Sequence, residues 1–136
     1  MSEAGYSGTP LAKKLNLRDG MRVWFDAMPE SIADEIDDYA LELHFVADPA
    51  NGIDAAHVFV TERAVLERRL TALRSQIAAD GQIWVSWPKK ACQVETDITE
   101  DTIRAVCLPL GLVDTKVCAI DETWSGLKLV IRKELR

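Results

Sequence analysis

Two apolar runs, AHVFV at 56–60 and QIWVSW at 82–87, constrain this chain more than any other feature. Each is as long as a strand, and neither shows the regular alternation of a half-buried one. Such strands need cover on both faces, which places both runs at the centre of a sheet with a layer above and a layer below. Between them, Val65, Leu66, Leu70, Leu73 and Ile77 recur at helical spacing and predict a helix over 62–79. Asp80-Gly81 closes that helix, with Gly81 suited to a left-handed cap. Strand, helix and strand in this order form a parallel crossover unit.

The other elements follow from punctuation and periodicity. Thr9-Pro10 predicts a helix start, with Thr9 as N-cap and Pro10 at the first helical position, leading a short helix over 11–15. MRVWF reads as the first strand, ending near Asp26. Pro29 opens a helix with Ile32, Ile36 and Tyr39 on one face. LHFVA is a second strand ending near Asp48, and Pro49, Asn51 and Gly52 mark a loop. Pro88 ends the QIWVSW strand by withholding a backbone donor. A helix over 99–108 carries Ile103, Val106 and Cys107 inward, and Pro109 and Gly111 stop it. LVDTKVCAI and SGLKLVIRK are then joined by Asp121-Glu122-Thr123-Trp124, which predicts an antiparallel hairpin. One tension is built in. DPANGIDA is short for a parallel crossover between the second and third strands, so the crossing is extended or a strand is misplaced.

At 136 residues the chain reads as one α/β domain over 1–136, large enough for a real core. The net charge of −6 speaks against nucleic-acid binding through the whole surface. No apolar run approaches the ~20 residues of a membrane helix. The N-terminal stretch lacks the apolar core of a signal peptide, so the expected location is cytoplasmic. Cys92, Cys107 and Cys118 are odd in number and form no CxxC, which fits reduced thiols. His44 and His57 are not at metal-ligand spacing, and no metal or cofactor is expected.

Charge is uneven. Between Arg22 and Arg63 there is no Lys or Arg, while Asp26, Glu30, Asp34, Glu35, Asp37, Asp38, Glu42, Asp48, Asp54 and Glu62 fall in that stretch. This is either a solvated acidic face or a contact surface for a basic partner, including a second copy in a homodimer.

GYSGTPLAKKL, WPKK, TDITED, LPLGLVDTKVCAID and WSGLKLV together resemble a family of small bacterial proteins catalogued as a domain of unknown function. The resemblance is close over 5–17 and 60–136 and loose over 21–56. It implies a fold and no chemistry. The order of elements also resembles S-adenosylmethionine-dependent methyltransferases, in shortened form. That implies a three-layer Rossmann-like α/β sandwich, mostly parallel, with a C-terminal antiparallel hairpin whose last strand lies between the fourth and fifth. Methyltransferases carry a glycine-rich loop after the first strand. Here the segment is FDAMPES, where Met28 and Pro29 oppose a close backbone approach, so weak or no binding of S-adenosylmethionine is expected. Asp48 stands where an acidic residue could bond a ribose.

In open α/β sheets ligands bind outside the carboxyl ends of the strands. Lys89 and Lys90 follow such an end and could hold a phosphate or carboxylate with the helix that begins near Thr99. Solvated loop lysines are the plain alternative. Asp97 with Glu100 fits a capping box, and Thr96 and Thr99 are alternative caps. GYSGT brings Ser7 and Thr9 as a second anion-binding candidate, against a plain N-terminal arm. Trp124 and Ser125 are the third, although Trp124 also reads as a packing residue. No nucleophile has a base nearby in sequence: Ser7, Ser86 and Ser125 lack a neighbouring histidine, and Cys92 has only the two lysines before it. The expectation is therefore a non-catalytic binding or regulatory module with a small anionic ligand at the carboxyl rim. The alternatives are an enzyme acting on a small anionic substrate, in the manner of a degenerate methyltransferase, and a structural or oligomerising protein.

Overall fold

The computed structural model describes residues 8–136. Its elements in chain order are α1 (Leu11–Lys14), β1 (Arg22–Asp26), α2 (Glu30–Asp38), β2 (His44–Phe45), β3 (Ile53–Phe59), α3 (Arg63–Arg74), β4 (Ile77–Pro88), α4 (Glu100–Cys107), β5 (Leu112–Ala119) and β6 (Trp124–Ile131). Among the described residues the strands form one six-stranded sheet in the order β2-β1-β3-β4-β6-β5. The pairs β1-β2, β1-β3 and β3-β4 are parallel, and β4-β6 and β5-β6 antiparallel. β3 and β4 are central, and the last strand lies between the fourth and the fifth, as expected.

The two apolar runs are central because each feeds two cores. Ala56, Val58, Ile83, Val85 and Trp87 pack under Leu66, Leu70 and Leu73 of α3 and Ile103 and Val106 of α4. On the other face Ala55, Phe59 and Trp84 pack against Leu11 and Leu15 of the α1 region and Ile32 and Ile36 of α2. α1 is also anchored by polar bonds, since Leu15 O accepts from Gln82 Nε2 at 2.8 Å and from Trp84 Nε1 at 3.0 Å.

Several local expectations are corrected. α3 stops at Arg74, and β4 begins at Ile77. Ile77 continues the helical stripe by spacing, but it pairs with Ile53, and Ile53 N donates to Gln76 O at 3.2 Å. Gly81 is therefore a buried strand residue and not a helix cap. A Cβ there would lie 2.7 Å from both Asp54 O and Ile77 Cγ1, so only glycine fits. Pro10, not Thr9, occupies the cap position of α1. Tyr39 does not share the buried face of Ile32 and Ile36. It follows α2 and is 40% exposed.

The crossover tension resolves in space. β2 and β3 are not neighbours but flank β1, and β2 is only two residues long. Residues 46–52 cross the sheet, with Val46 packed on the α3–α4 core and Asp48 capping the 3-10 turn Pro49–Asn51 through a 3.0 Å bond from Ala50 N.

Candidate functional site

β4 delivers Trp87 and Pro88, both buried, to the carboxyl end of the sheet. The chain then leaves the sheet plane. Lys89 N donates to Thr123 O in the β5–β6 turn at 2.8 Å, a 3-10 turn covers Lys90–Cys92, and Gln93 adopts a left-handed conformation with φ 65°. The far end of this loop is bound to the turn after β3. Thr96 Oγ1 donates to Thr61 O at 2.7 Å and accepts from Ile98 N at 3.1 Å. Asp97 N donates to Thr61 O at 3.3 Å, and its carboxylate accepts from Arg63 N, the first residue of α3, at 2.7 Å.

Between these two anchorages lies a groove of about 550 Å³. That is within the ~300–1,000 Å³ range of small-molecule sites. Trp87, Pro88, Val94 and Ile98 give it an apolar lining, and Lys89, Lys90 and Thr96 also line it. Glu95 and Glu100 supply negative charge at the same place. Glu100 does not stand alone, because it pairs with Arg104, which also bonds Asp101 and Asp114. Among the described residues neither Lys89 nor Lys90 is in an ion pair. The acidic start of α4 is thus partly offset by its own arginine, one positive charge shared among Glu100, Asp101 and Asp114.

The structure brings Lys89, Lys90 and Thr96 to one groove and separates the other candidates from it. Asp97 does not cap α4. Thr99 does, in a reciprocal box with Thr102, because Asp97 lies two residues too early and turns to α3. Trp124 and Ser125 are not in a turn. They open β6, with Ser125 paired to Trp87 and Ala119. Trp124 stands edge-on to Phe59 with centroids 5.1 Å apart, on the opposite face from the groove. Thr9 precedes α1 on that same face, and Ser7 lies outside the described residues.

Sequence reasoning missed a Ser-His pair. His57 Nε2 and Ser86 Oγ lie 2.7 Å apart between the central strands. Both are buried, and the ring stacks on Phe59 at 4.5 Å. Burial pushes the imidazole down to about 3, so it is neutral. Among the described residues His57 Nδ1 has no hydrogen-bond partner. A catalytic imidazole needs substrate access and a group that orients its second nitrogen, and this pair has neither. The available signal was a polar residue in each of two doubly covered strands. The thiols are equally quiet: burial raises both Cys107, to about 11, and Cys118, and all three cysteines are free.

The end of β1 is built differently. Ala27 takes φ 59°, where a glycine is usual, and Pro29 caps α2. Asp26 Oδ2 accepts from Arg69 Nε at 2.7 Å, and the same guanidinium lies 5.8 Å over the Trp24 ring. Asp48 is occupied by its own 3-10 turn.

No protein-family model matches the chain, and no curated protein matches it. Solved structures do. A ribosomal protein L11 methylase from Lactobacillus delbrueckii subsp. bulgaricus is similar with a TM-score of 0.55 at 9% identity, over 90% of this chain and 75% of that one. Magnesium protoporphyrin IX methyltransferase from Synechocystis PCC 6803, solved with bound S-adenosylmethionine, gives 0.56 at 13% identity, over 89% and 74%. A TehB-like S-adenosylmethionine-dependent methyltransferase from Corynebacterium glutamicum gives 0.54 at 9% identity, over 94% and 90%. These likenesses establish a Rossmann-like, methyltransferase-type fold.

Proposed function

We propose that this protein binds a small anionic ligand, of phosphate or carboxylate type, in the groove at the carboxyl end of β4. The observation that carries the reading is the pair Lys89 and Lys90, lining an apolar groove without a carboxylate partner among the described residues. Thr96 adds a hydroxyl whose oxygen is already held by Thr61 O and Ile98 N, so it shapes the wall more than it contacts the ligand. The groove lies at the rim where open α/β sheets take ligands. The three free thiols support a reducing compartment such as the cytoplasm. Among the described residues no helix is long and apolar enough to cross a membrane.

The test is thermal melting of the wild type and Lys89→Ala/Lys90→Ala with phosphate, sulfate and nucleotides. Ligand at ~100 times its Kd is expected to stabilise the wild type by about 2.7 kcal/mol and the variant by much less. Equal shifts, or none, would make these solvated loop lysines.

A second reading is an enzyme acting on a small anionic substrate, as a degenerate methyltransferase, and the likeness to known proteins supports it better than it supports a non-catalytic module. Two of the similar structures, the Synechocystis methyltransferase and a fibrillarin from Aeropyrum pernix, hold S-adenosylmethionine. The residues at the end of β1 do not fit that group in this chain. Ala27, Met28 and Pro29 replace a glycine turn, and Asp26 and Asp48 are engaged elsewhere. Calorimetric titration separates the readings: micromolar affinity for S-adenosylmethionine speaks for the enzyme, and no heat for the binding module.

A further inference from the structure

The α2–β2 side of the sheet carries an independent feature. Glu30, Asp34, Glu35, Asp37, Asp38, Glu42 and Asp48 supply seven negative charges between residues 30 and 48, with no Lys or Arg. With −6 for the whole chain, everything else nets +1. None of the seven is in an ion pair among the described residues. Two of them sit where a helix least tolerates them. Asp37 and Asp38 end α2, whose last turn has no basic residue, so their charges add to the negative end of the helix dipole. Burial and repulsion by Asp121 and Asp38 raise the Glu35 carboxyl, which marks the charge as uncompensated.

Apolar surface accompanies the charge. Phe45 is 66% exposed and Tyr39 40%. Among the described residues β2 ends the sheet, and its outer backbone groups meet no strand. Beside it Phe25, Ile36, Leu41, Leu43 and Phe45 line a cleft of about 50 Å³, room for little more than one small apolar group. Exposed aromatics ringed by one sign of charge mark a protein contact.

We propose that the α2–β2 edge is a docking surface for a partner protein that presents a Lys/Arg-rich segment around an apolar side chain. A second copy offers Lys89 and Lys90, in no ion pair among the described residues, but several of its other cations are engaged. Arg22, Arg63, Arg69 and Arg104 are already in ion pairs. Lys116 donates to Lys14 O and Lys128 to Asn16 Oδ1, both spent on the end of α1. The far edge strand, β5, is also interrupted by a register shift between Asp114 and Lys116, which discourages edge pairing. A metal ion is disfavoured as well, since no three carboxylates converge among the described residues.

The experiment uses the full chain and a fluorescent dodecapeptide of alternating lysine and leucine, with a glutamate–leucine peptide as control. Anisotropy gives Kd for the wild type, for Asp34→Asn/Asp37→Asn/Asp38→Asn, and for Phe45→Ser; all four residues are exposed, so the core is spared. The lysine peptide is expected to bind, to weaken as salt rises, and to lose about tenfold in affinity in each variant. Amide shifts in the wild type are expected within residues 30–48. The proposal is overturned if the lysine peptide fails to bind, if it binds all three proteins alike, or if the shifts fall elsewhere. Sedimentation that shows self-association through this edge would overturn it in favour of a second copy.

Discussion

Around Pro88 every loop is tied to another: Lys89 to Thr123, Thr96 to Thr61, Asp97 to Arg63, and Glu100 through Arg104 to Asp114. Around Ala27 and Phe45 the ties are fewer. A non-glycine residue sits at positive φ, a helix ends in two aspartates, and a two-residue strand leaves its phenylalanine in solvent. The first region departs from local rules of stability at Gln93, with φ 65°. The second breaks three of them within 20 residues of chain, 26–45. Departures of this kind gather where a surface serves contact with something else. The groove is thus held by its ties, and the acidic edge is less constrained.

The contrast can be broken most sharply by truncation. Trp84→Ala removes a fully buried side chain and leaves Leu15 O with one donor fewer, so a loss of about 3–5 kcal/mol is expected. Phe45→Ala, which removes an aromatic ring that is 66% exposed, should cost no more than about 0.5 kcal/mol. Urea denaturation measures both, and comparable losses would erase the distinction between the two regions.

Acid provides the next test, because the two regions respond with opposite sign. The unfolded His57 imidazole takes a proton near 6.5, while the folded one resists to about 3. Its contribution is full above pH 6.5 and is lost as pH falls toward 3, at about 1 kcal/mol per unit. Asp54, held below its usual range by Arg22, acts at lower pH. Glu35 shifts upward, so protonation on folding favours the native state as pH falls through its raised value. Hydrogen exchange between pH 7 and 5 should show β3 and β4 losing protection while α2 loses less. The double variant His57→Phe/Ser86→Ala should flatten the dependence of global stability over the same window.

Smaller effects sharpen the picture of the acidic edge. Ala27→Gly relieves the positive φ and should stabilise the protein by about 0.5–1 kcal/mol, read from the denaturation midpoint. Asp37→Asn/Asp38→Asn removes charge from the wrong end of α2 and should gain a few tenths of a kcal/mol for each, about 0.3 at the low end. Loss of stability in either variant would mean that the edge is not strained after all.

What the sequence disclosed depended on whether a residue's role was set locally. AHVFV and QIWVSW announce double burial by their own composition, so the central strands and layer order were legible. Ile77 was not, because an apolar residue four positions past Leu73 satisfies a helix stripe and a strand equally well. The choice was made by Ile53, far away in sequence. Asp97, Thr96 and Thr99 are all competent caps, and only the fold sends Asp97 to α3. The pairing of His57 with Ser86 requires the β3–β4 register, which sets Phe59 opposite Ser86 and His57 opposite Trp84. The lysines of the groove were legible by position alone. That Arg104 would pair with Glu100 and Asp114 was not, since it takes the meeting of α4 with β5.

The order β4-β6-β5 has a consequence for the newborn chain. β5 is synthesised before β6 but touches no strand except β6. When β3, α3 and β4 have already left the ribosome, the growing chain therefore carries β4, with its QIWVSW run, as a raw sheet margin. The hairpin cannot seal that margin until residue 129 has been added, and an unpaired apolar strand is the usual seed of sticking between chains. Slow synthesis across residues 112–131 is therefore expected to lower the soluble yield of the chain.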